Sequence, residues 1–267
     1  MILISFICVN FKNHNVTESF IKSLEEQSHI GDKFSIQCIV VDNSDLQDEY
    51  EYLKKIKCNE LDLLICNPKK NLGYFHGLNF GLKNALGRII VICNNDLEFD
   101  RNFCFNLINK TFDNNVFAIA PNITTKDGYS QNPHVLIPIG WMRRLQMDIY
   151  YTNYYIARLL TIILATIRPS RRVLPVLETG REIHMGIGAC YILTEKFFKN
   201  FKQLIYPHFL YGEEAYFSKQ IHDAGGVLWY EPSLRVTHAE SLSTIKLPKR
   251  KTYEFAKSGY SEYRNYL

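Results

Sequence analysis

The run Ile89-Ile90-Val91-Ile92-Cys93-Asn94-Asn95-Asp96 is an apolar strand pattern that ends abruptly in three polar side chains. In open α/β sheets ligands bind outside the carboxyl ends of the strands, which sets a ligand against Asp96. A carboxylate there suits Mg2+ or Mn2+, hard cations that keep several waters and take one or two carboxylates plus the phosphates of a substrate. The plainer alternative is that Asn95 and Asp96 only cap the turn that follows. Val40-Val41-Asp42-Asn43-Ser44-Asp45 has the same design, and Asp42 could accept a hydrogen bond from a nucleobase N–H or a ribose hydroxyl.

In Asn71-Leu72-Gly73-Tyr74-Phe75-His76-Gly77-Leu78-Asn79-Phe80-Gly81, glycine recurs every four residues along one helical face. Each glycine costs a helix about 1 kcal/mol, so three on one face imply close approach of another backbone or of a ligand. Far downstream stand Phe209-Leu210-Tyr211-Gly212-Glu213-Glu214, then Gly225-Gly226, then His238. Paired acids at a helix start are stabilised by its dipole. Alternatively one of them is a general base, since a carboxylate with a reference pKa of about 4.3 is ionised at neutral pH and accepts a hydroxyl proton. His238 reads either as a polar loop residue or as a metal ligand.

These side chains need a scaffold. Over the first 120 residues short β-branched runs alternate with amphipathic stretches, the pattern of a mainly parallel sheet with crossover helices. Strands are expected at Ile2 to Asn10, Phe34 to Val41, Asp62 to Cys66, Arg88 to Cys93 and Val116 to Ala120. Between them Val16, Phe20, Ile21 and Leu24 share a helical face, as do Leu72, Phe75, Leu78, Asn79 and Leu82, and then Phe103, Leu107 and Ile108. Each βα unit takes about 25 to 35 residues, as parallel crossovers require. After Arg181 order returns with a strand at Ala189 to Leu193, a helix from Glu213 to Ala224, a strand at Val227 to Tyr230 and a basic, aromatic tail from Lys246 to Leu267.

From Gly128 to Arg181 this rhythm breaks. The most apolar piece, Tyr154 to Ile167, is interrupted by Arg158 and is shorter than the about 20 apolar residues a transmembrane helix needs. It reads either as a buried helix or as an interfacial helix held on an anionic bilayer by its aromatics and by Arg168, Arg171 and Arg172. A net charge of +4 is too small to imply nucleic acid. The clusters at Arg168 to Arg172 and Lys246 to Lys251 read as solvated faces, or as partners of an anionic membrane or a diphosphate.

With 267 residues, 46% of them hydrophobic, the chain can bury a sizeable core. Its seven cysteines are an odd set without Cys-x-x-Cys spacing, and Cys8, Cys38, Cys66 and Cys93 sit inside apolar runs. That favours a reduced, cytoplasmic compartment. The opening run Met1 to Phe6 has neither a basic segment nor a small-residue cleavage site, so a first core strand is expected there and not a signal peptide.

Taken in order, from Ile2 to about Ser243, these segments resemble the family 2 glycosyltransferases, in particular the rhamnosyltransferase-like branch of bacterial surface-polysaccharide assembly. The resemblance implies a GT-A type fold, a Rossmann-like α/β domain whose mixed, mainly parallel sheet is flanked by helices. Residues 1–125 would be its nucleotide-binding half and 126–182 a variable insertion facing the acceptor or a membrane. Residues 183–245 would be the acceptor and catalytic half, and 246–267 a C-terminal helix. The resemblance further implies that Val9 and Asn10, in Val9-Asn10-Phe11-Lys12, cradle the base, and that Asp42 contacts the uracil or thymine of a UDP- or dTDP-sugar. Asn71, Gly73 and Asn79 would lie beside this donor.

Asn94-Asn95-Asp96 would take the place of an Asp-x-Asp motif, with Asn94 in place of the first acid. Asp96 and His238 would hold Mn2+ or Mg2+, and with one acid where the family often has two, the donor diphosphate must complete the shell. Gly186 to Cys190 would line the acceptor side. Tyr211-Gly212-Glu213-Glu214 corresponds to a motif whose final acid is the base, here Glu214 with Glu213 beside it. The extra methylene lets that base reach about 1 Å further or sit displaced, a shift that matters to rate.

The activity so implied is a single displacement with inversion, onto a hydroxyl of a saccharide or lipid-linked saccharide, in the cytoplasm or peripherally on the inner face of the plasma membrane. A sugar-phosphate nucleotidyltransferase would need a glycine-rich phosphate loop, and Val9 to Asn15 contains no glycine. A carbohydrate-binding or scaffold protein that keeps the fold without the chemistry is left open by Asn94 and Glu214.

Overall fold

The apolar runs of the first half form strands that are buried on both faces, as strands between two helical layers must be. The computed structural model describes residues 2–167, 177–239 and 249–267. The chain begins β1 (Ile2–Asn10), α1 (His14–Glu25), β2 (Phe34–Asp42), α2 (Gln47–Lys54), β3 (Leu61–Cys66), α3 (Tyr74–Leu82) and β4 (Ile89–Asn94). Next come β5 (Leu97–Phe99), α4 (Phe103–Ile108), β6 (Val116–Thr125), α5 (Trp141–Thr152), α6 (Tyr154–Ile167) and β7 (Arg181–Glu182). The chain closes with β8 (Cys190–Leu193), α7 (Glu195–Asn200), α8 (Glu213–Asp223), β9 (Val227–His238) and α9 (Arg250–Tyr263).

One mixed sheet runs in the order β3-β2-β1-β4-β8-β6-β9-β5, with β7 paired to β9. Strands β3, β2, β1 and β4 are parallel, and so are β6 and β9; β8 is antiparallel to β4 and β6. The long ladders are the parallel ones, nine pairs for β1 with β2 against four for β4 with β8, so the sheet is mainly parallel as expected. Alternation along β1 divides the core. Phe6 and Cys8 pack with Phe20, Leu24 and Phe103 on the α1 and α4 side. Ile7 packs with Leu78, Phe75 and Phe217 on the α3 and α8 side.

The spaced glycines of α3 are explained by protein contacts. A Cβ on Gly81 would lie 2.7 Å from Ile7 Cγ2 and 2.9 Å from Val41 Cγ2, and one on Gly77 would lie 2.7 Å from Asn43 Nδ2. Their absent side chains let the helix backbone lie directly on β1 and β2.

Two strands run further than their sequences suggest: β6 reaches Thr125 and β9 reaches His238. Pro232 reads as a strand end, but the β6–β9 register shifts between Pro121 and Asn122, and the pairing resumes at Arg235. A bulge of this kind absorbs the proline and lets the ladder continue. The extension delivers His238 to the edge where β4 ends.

The buried reading of Tyr154 to Ile167 is overturned. In α6 Ala157 is fully buried, whereas Tyr155, Leu159 and Ile162 are 70%, 58% and 49% exposed. Inward, α5 packs on α9 through Tyr151, whose ring centroid lies 4.4 Å from that of Tyr260. Among the described residues no helix is long and apolar enough to cross a membrane. The basic residues Arg168, Arg171, Arg172 and Lys246, and Glu240 and Ser241 beyond His238, lie outside the described residues. All seven cysteines are free, and burial pushes the thiols of Cys8, Cys38, Cys93, Cys104 and Cys190 up.

Gly81→Ala should therefore destabilise the fold despite alanine's better helix propensity, because the added methyl meets β-branched side chains that cannot withdraw. Overpacking of this kind costs about 1–3 kcal/mol, which would lower the thermal midpoint by several degrees. Gly140→Ala, whose methyl meets nothing within 4 Å, should leave the midpoint in place. A midpoint raised by Gly81→Ala would contradict this packing.

Candidate active site

Strand register sets the site. Asn10 pairs with Asp42 across β1 and β2, Val9 with Asn94 across β1 and β4, and Thr125 with His238 across β6 and β9. The carboxyl ends of five strands thus open on the same side of the sheet, where ligands of such sheets bind.

Behind these ends is a buried polar network centred on Asn10. Its amide nitrogen lies 3.1 Å from Asp42 Oδ1, 3.2 Å from Ser44 Oγ and 3.1 Å from Glu49 Oε1. Its amide oxygen accepts from Thr17 Oγ1 at 2.9 Å and from Asn95 Nδ2 at 3.3 Å. Burial pushes the Glu49 carboxyl up, but hydrogen bonds from His14 and Asn10 outweigh it and hold it below its ordinary value. Asn10 is fully buried, and its side-chain hydrogen bonds run to these protein groups. Asn95 is tied into the same network, donating to Thr17 Oγ1 at 2.7 Å. Asp42 keeps Oδ2 buried and without a partner.

Asp96 follows in the turn after β4, and β5 then pairs with β9, Leu97 opposite His238. That pairing brings His238 Nε2 to 3.0 Å from Asp96 Oδ2 across 142 residues of sequence. The other ring nitrogen, Nδ1, lies 2.7 Å from Gln131 Oε1. With that amide oxygen as acceptor, Nδ1 carries the proton and Nε2 presents its lone pair to a carboxylate. Two electron-rich atoms at this distance need a shared proton or a cation between them, and a histidine whose second nitrogen donates to a carbonyl is the usual form of a metal ligand. Asp96 Oδ1 is also buried and unpartnered. Among the described residues no cluster of three or more His, Cys, Asp or Glu side chains stands ready to hold a metal, and Asp96 and His238 form a pair.

Val9, Asn71, Gly73 and Asn94 line one cavity of about 350 Å3, closed by Phe11, Phe209, Leu210 and Lys251. The Asn71 side chain folds back to accept from the Gly73 amide at 2.9 Å. Asn79 is not brought to this cavity. It clamps α3 to the chain at Leu204, donating to the carbonyl at 2.7 Å and accepting from the amide at 2.9 Å. A helical residue two positions past Gly77 faces away from the sheet, which is why Asn79 meets Leu204.

The paired acids open α8. Tyr211 and Gly212 precede them with φ of 70° and 98°, and the Tyr206 hydroxyl donates to the Tyr211 carbonyl. Glu213 is 5% exposed, with Oε1 unpartnered. Burial pushes its carboxyl up to about 7; backbone amides draw it back and the neighbouring Glu214 adds to the rise. Glu214 faces the other way, with Oε2 3.6 Å from where a Cβ of Gly188 would stand. Between these acids and Asp96 lies Tyr74, whose hydroxyl donates to the Gly188 carbonyl at 3.1 Å. Burial pushes its phenol up, and Cys93, Cys190, Glu213 and Asp96 add to that.

Gln131, Thr17, Ser44 and Glu49 were not singled out in the sequence. Each is a common residue in a loop or helix, and only a partner distant in the chain gives it a role. Asn132 likewise fixes the segment from Gly186, accepting from the Ile187 amide at 2.9 Å.

A model of the family described as Glycosyl transferase family 2 matches residues 5–175, more than half of the chain. No curated protein matches the sequence. Among solved structures the fold is similar to that of the mannosyltransferase PcManGT from Pyrobaculum calidifontis in complex with GDP-Man and Mn2+, at 13% identity and a TM-score of 0.58, over 96% of this chain and 69% of that one. It is also similar to GalNAc-T7 with UDP, GalNAc and Mn2+, at 15% identity and a TM-score of 0.59, over 91% of this chain and 45% of that one. TarS 1-349 of S. aureus gives 14% identity and a TM-score of 0.56, over 88% of this chain and 60% of that one. At these identities the likeness shows a shared GT-A fold.

The Glu213 carboxyl, raised from 4.5 to about 7, should leave a pH signature. Below pH 4.5 folded and unfolded chains both hold the proton; as pH rises towards 7 the unfolded chain releases it first, and stability is lost. Glu213→Gln removes this loss, so the variant should gain on the wild type between pH 4.5 and 7, by on the order of 2–3 kcal/mol at pH 8. Denaturant unfolding across this range measures it, and a difference independent of pH would contradict it.

Proposed function

This chain belongs to glycosyl transferase family 2, and from that premise we propose that it moves a sugar from a UDP- or dTDP-sugar to a hydroxyl of a saccharide or lipid-linked saccharide, with inversion, in cell-surface polysaccharide synthesis. The observation that carries this reading is the approach of His238 Nε2 to Asp96 Oδ2 at 3.0 Å. It joins the ends of two strands in an acid–imidazole pair that a cation could bridge in place of the proton.

Asp96 and His238 are the residues that would hold Mn2+ or Mg2+, and the Mn2+ in the complexes of PcManGT and GalNAc-T7 supports that use. Such a cation would neutralise charge on the departing diphosphate. Residues 1–125 hold the donor: the cavity at Val9, Asn71, Gly73 and Asn94 receives the nucleotide sugar, and the unpartnered Asp42 Oδ2 is an acceptor for a pyrimidine N–H. Residues 183–245 carry the acceptor side and the base.

Glu214 takes the proton from the attacking hydroxyl, its carboxylate turned to Gly188 where the acceptor enters. Glu213 holds its own proton up to about pH 7, so two adjacent acids do not both carry charge, which two carboxylates sharing a site resist. Tyr74 fixes the Gly188 backbone between base and diphosphate. A good leaving group on the donor removes the need for a second protein acid of the kind glycoside hydrolases use.

Glu214→Gln should lower turnover roughly 10²- to 10⁴-fold, the range for loss of a general base, with nucleotide binding retained. Release of nucleoside diphosphate from UDP- and dTDP-sugars in the presence of acceptor saccharide measures it. Turnover that stays within about threefold of the wild type would take the base role from Glu214.

A further inference from the structure

The apolar side chains of α6 are only half covered. Its inner stripe, around Ala157, packs on the protein. Its outer stripe of Tyr155, Ile156, Leu159, Ile162 and Ile163 is between 40% and 70% exposed. The neighbouring α5 adds Trp141, Met142, Leu145 and Ile149, exposed by 73%, 69%, 50% and 43%. Ile137, just before α5, is 74% exposed. Soluble proteins seldom leave so many large apolar side chains contiguous.

Charge identifies the occupant. Between Gly128 and Ile167 the sequence holds one carboxylate, Asp148. Arg264 neutralises it, with Nε 2.5 Å from Oδ1 and Nη2 2.6 Å from Oδ2. Arg143 and Arg158 flank the apolar face and are exposed, and Lys257 of α9 lies at the α5–α6 corner, donating to the Thr152 carbonyl at 2.8 Å. A second copy of this face would bring like charges together. Anionic lipid headgroups would neutralise them, and exposed Trp and Tyr are the side chains that settle at a bilayer interface.

We propose that the α5–α6 hairpin is a docking surface for an anionic lipid bilayer, its apolar stripe entering the headgroup and acyl boundary while the cationic rim meets the lipid phosphates. The surface stands on its own residues; only its use, to bring the cavity to a lipid-linked acceptor, rests on the glycosyl-transfer reading. Lys251 of α9 lines that cavity, and α9 packs against α5, so one helix connects the two.

The test uses the full chain with vesicles of phosphatidylcholine, alone or mixed with phosphatidylglycerol. Trp229→Phe leaves Trp141 as the single tryptophan. The protein should sediment with the phosphatidylglycerol vesicles and not with phosphatidylcholine alone, with Trp141 emission shifted to the blue. Leu145→Glu with Leu159→Glu should lower partitioning about tenfold or more and leave the melting curve unchanged, because both side chains are exposed. Equal binding to both vesicle types, no binding to either, or a lipid-free dimer that the double variant abolishes would overturn the proposal. UDP and dTDP binding measured without lipid separates the two readings: retained nucleotide binding with no vesicle binding removes only the docking surface, and the reverse removes only the donor site.

Discussion

Asn10 is a fully buried amide at the end of the first strand, and the geometry of the strand ends depends on it. A buried amide without partners is costly, and removing one partner of a buried hydrogen bond exposes the other to a penalty of about 1–3 kcal/mol. Here one side chain satisfies Asp42, Ser44 and Glu49 on one flank and accepts from Thr17 and Asn95 on the other. Strands β1 and β2, helices α1 and α2 and the turn after β4 are therefore held in a common frame. Among the described residues the network leaves Asp42 Oδ2, Asn43 Oδ1 and Asp96 Oδ1 buried and unpartnered at this edge.

The opposite half of the site comes from the second ladder. β9 is long because a bulge absorbs Pro232, and its last residue arrives beside Asp96 through the β5–β9 pairing. Gln131 then orients the imidazole. Acid, amide and imidazole meet because three independent pieces of backbone end at the same level. The paired acids of α8 are held differently, by a left-handed approach through Tyr211 and Gly212 that buries Glu213 and turns Glu214 to Gly188. Burial thus sets two chemically equal carboxylates apart: Glu213 keeps its proton near neutrality, and Glu214 is turned to Gly188.

Much of this was legible in the residues themselves. β1 runs from Ile2 to Asn10 as read, because an uninterrupted apolar run between two helical layers permits little else. The second half of β9 was not legible, since Glu231-Pro232-Ser233 resembles a strand end until its partner β6 supplies the bulge. The resemblance implied Asn10 and Asn79 as donor contacts. Only tertiary partners decide that one is interior and the other is turned to Leu204. Periodicity did not decide α6, because apolar side chains lie on both its inner side, at Ala157, and its outer side, at Leu159 and Ile162.

The most direct measurement is thermal unfolding with UDP, dTDP, GDP and CDP, each with and without Mn2+, in the wild type and in Asp96→Ala. A ligand at about 100 times its dissociation constant stabilises by about 2.7 kcal/mol, a shift of several degrees for a chain of this size. UDP or dTDP should raise the midpoint of the wild type only with Mn2+, and Asp96→Ala should abolish the rise. No shift with any nucleotide, or an undiminished shift in Asp96→Ala, would contradict the assignment of this strand edge as the donor site.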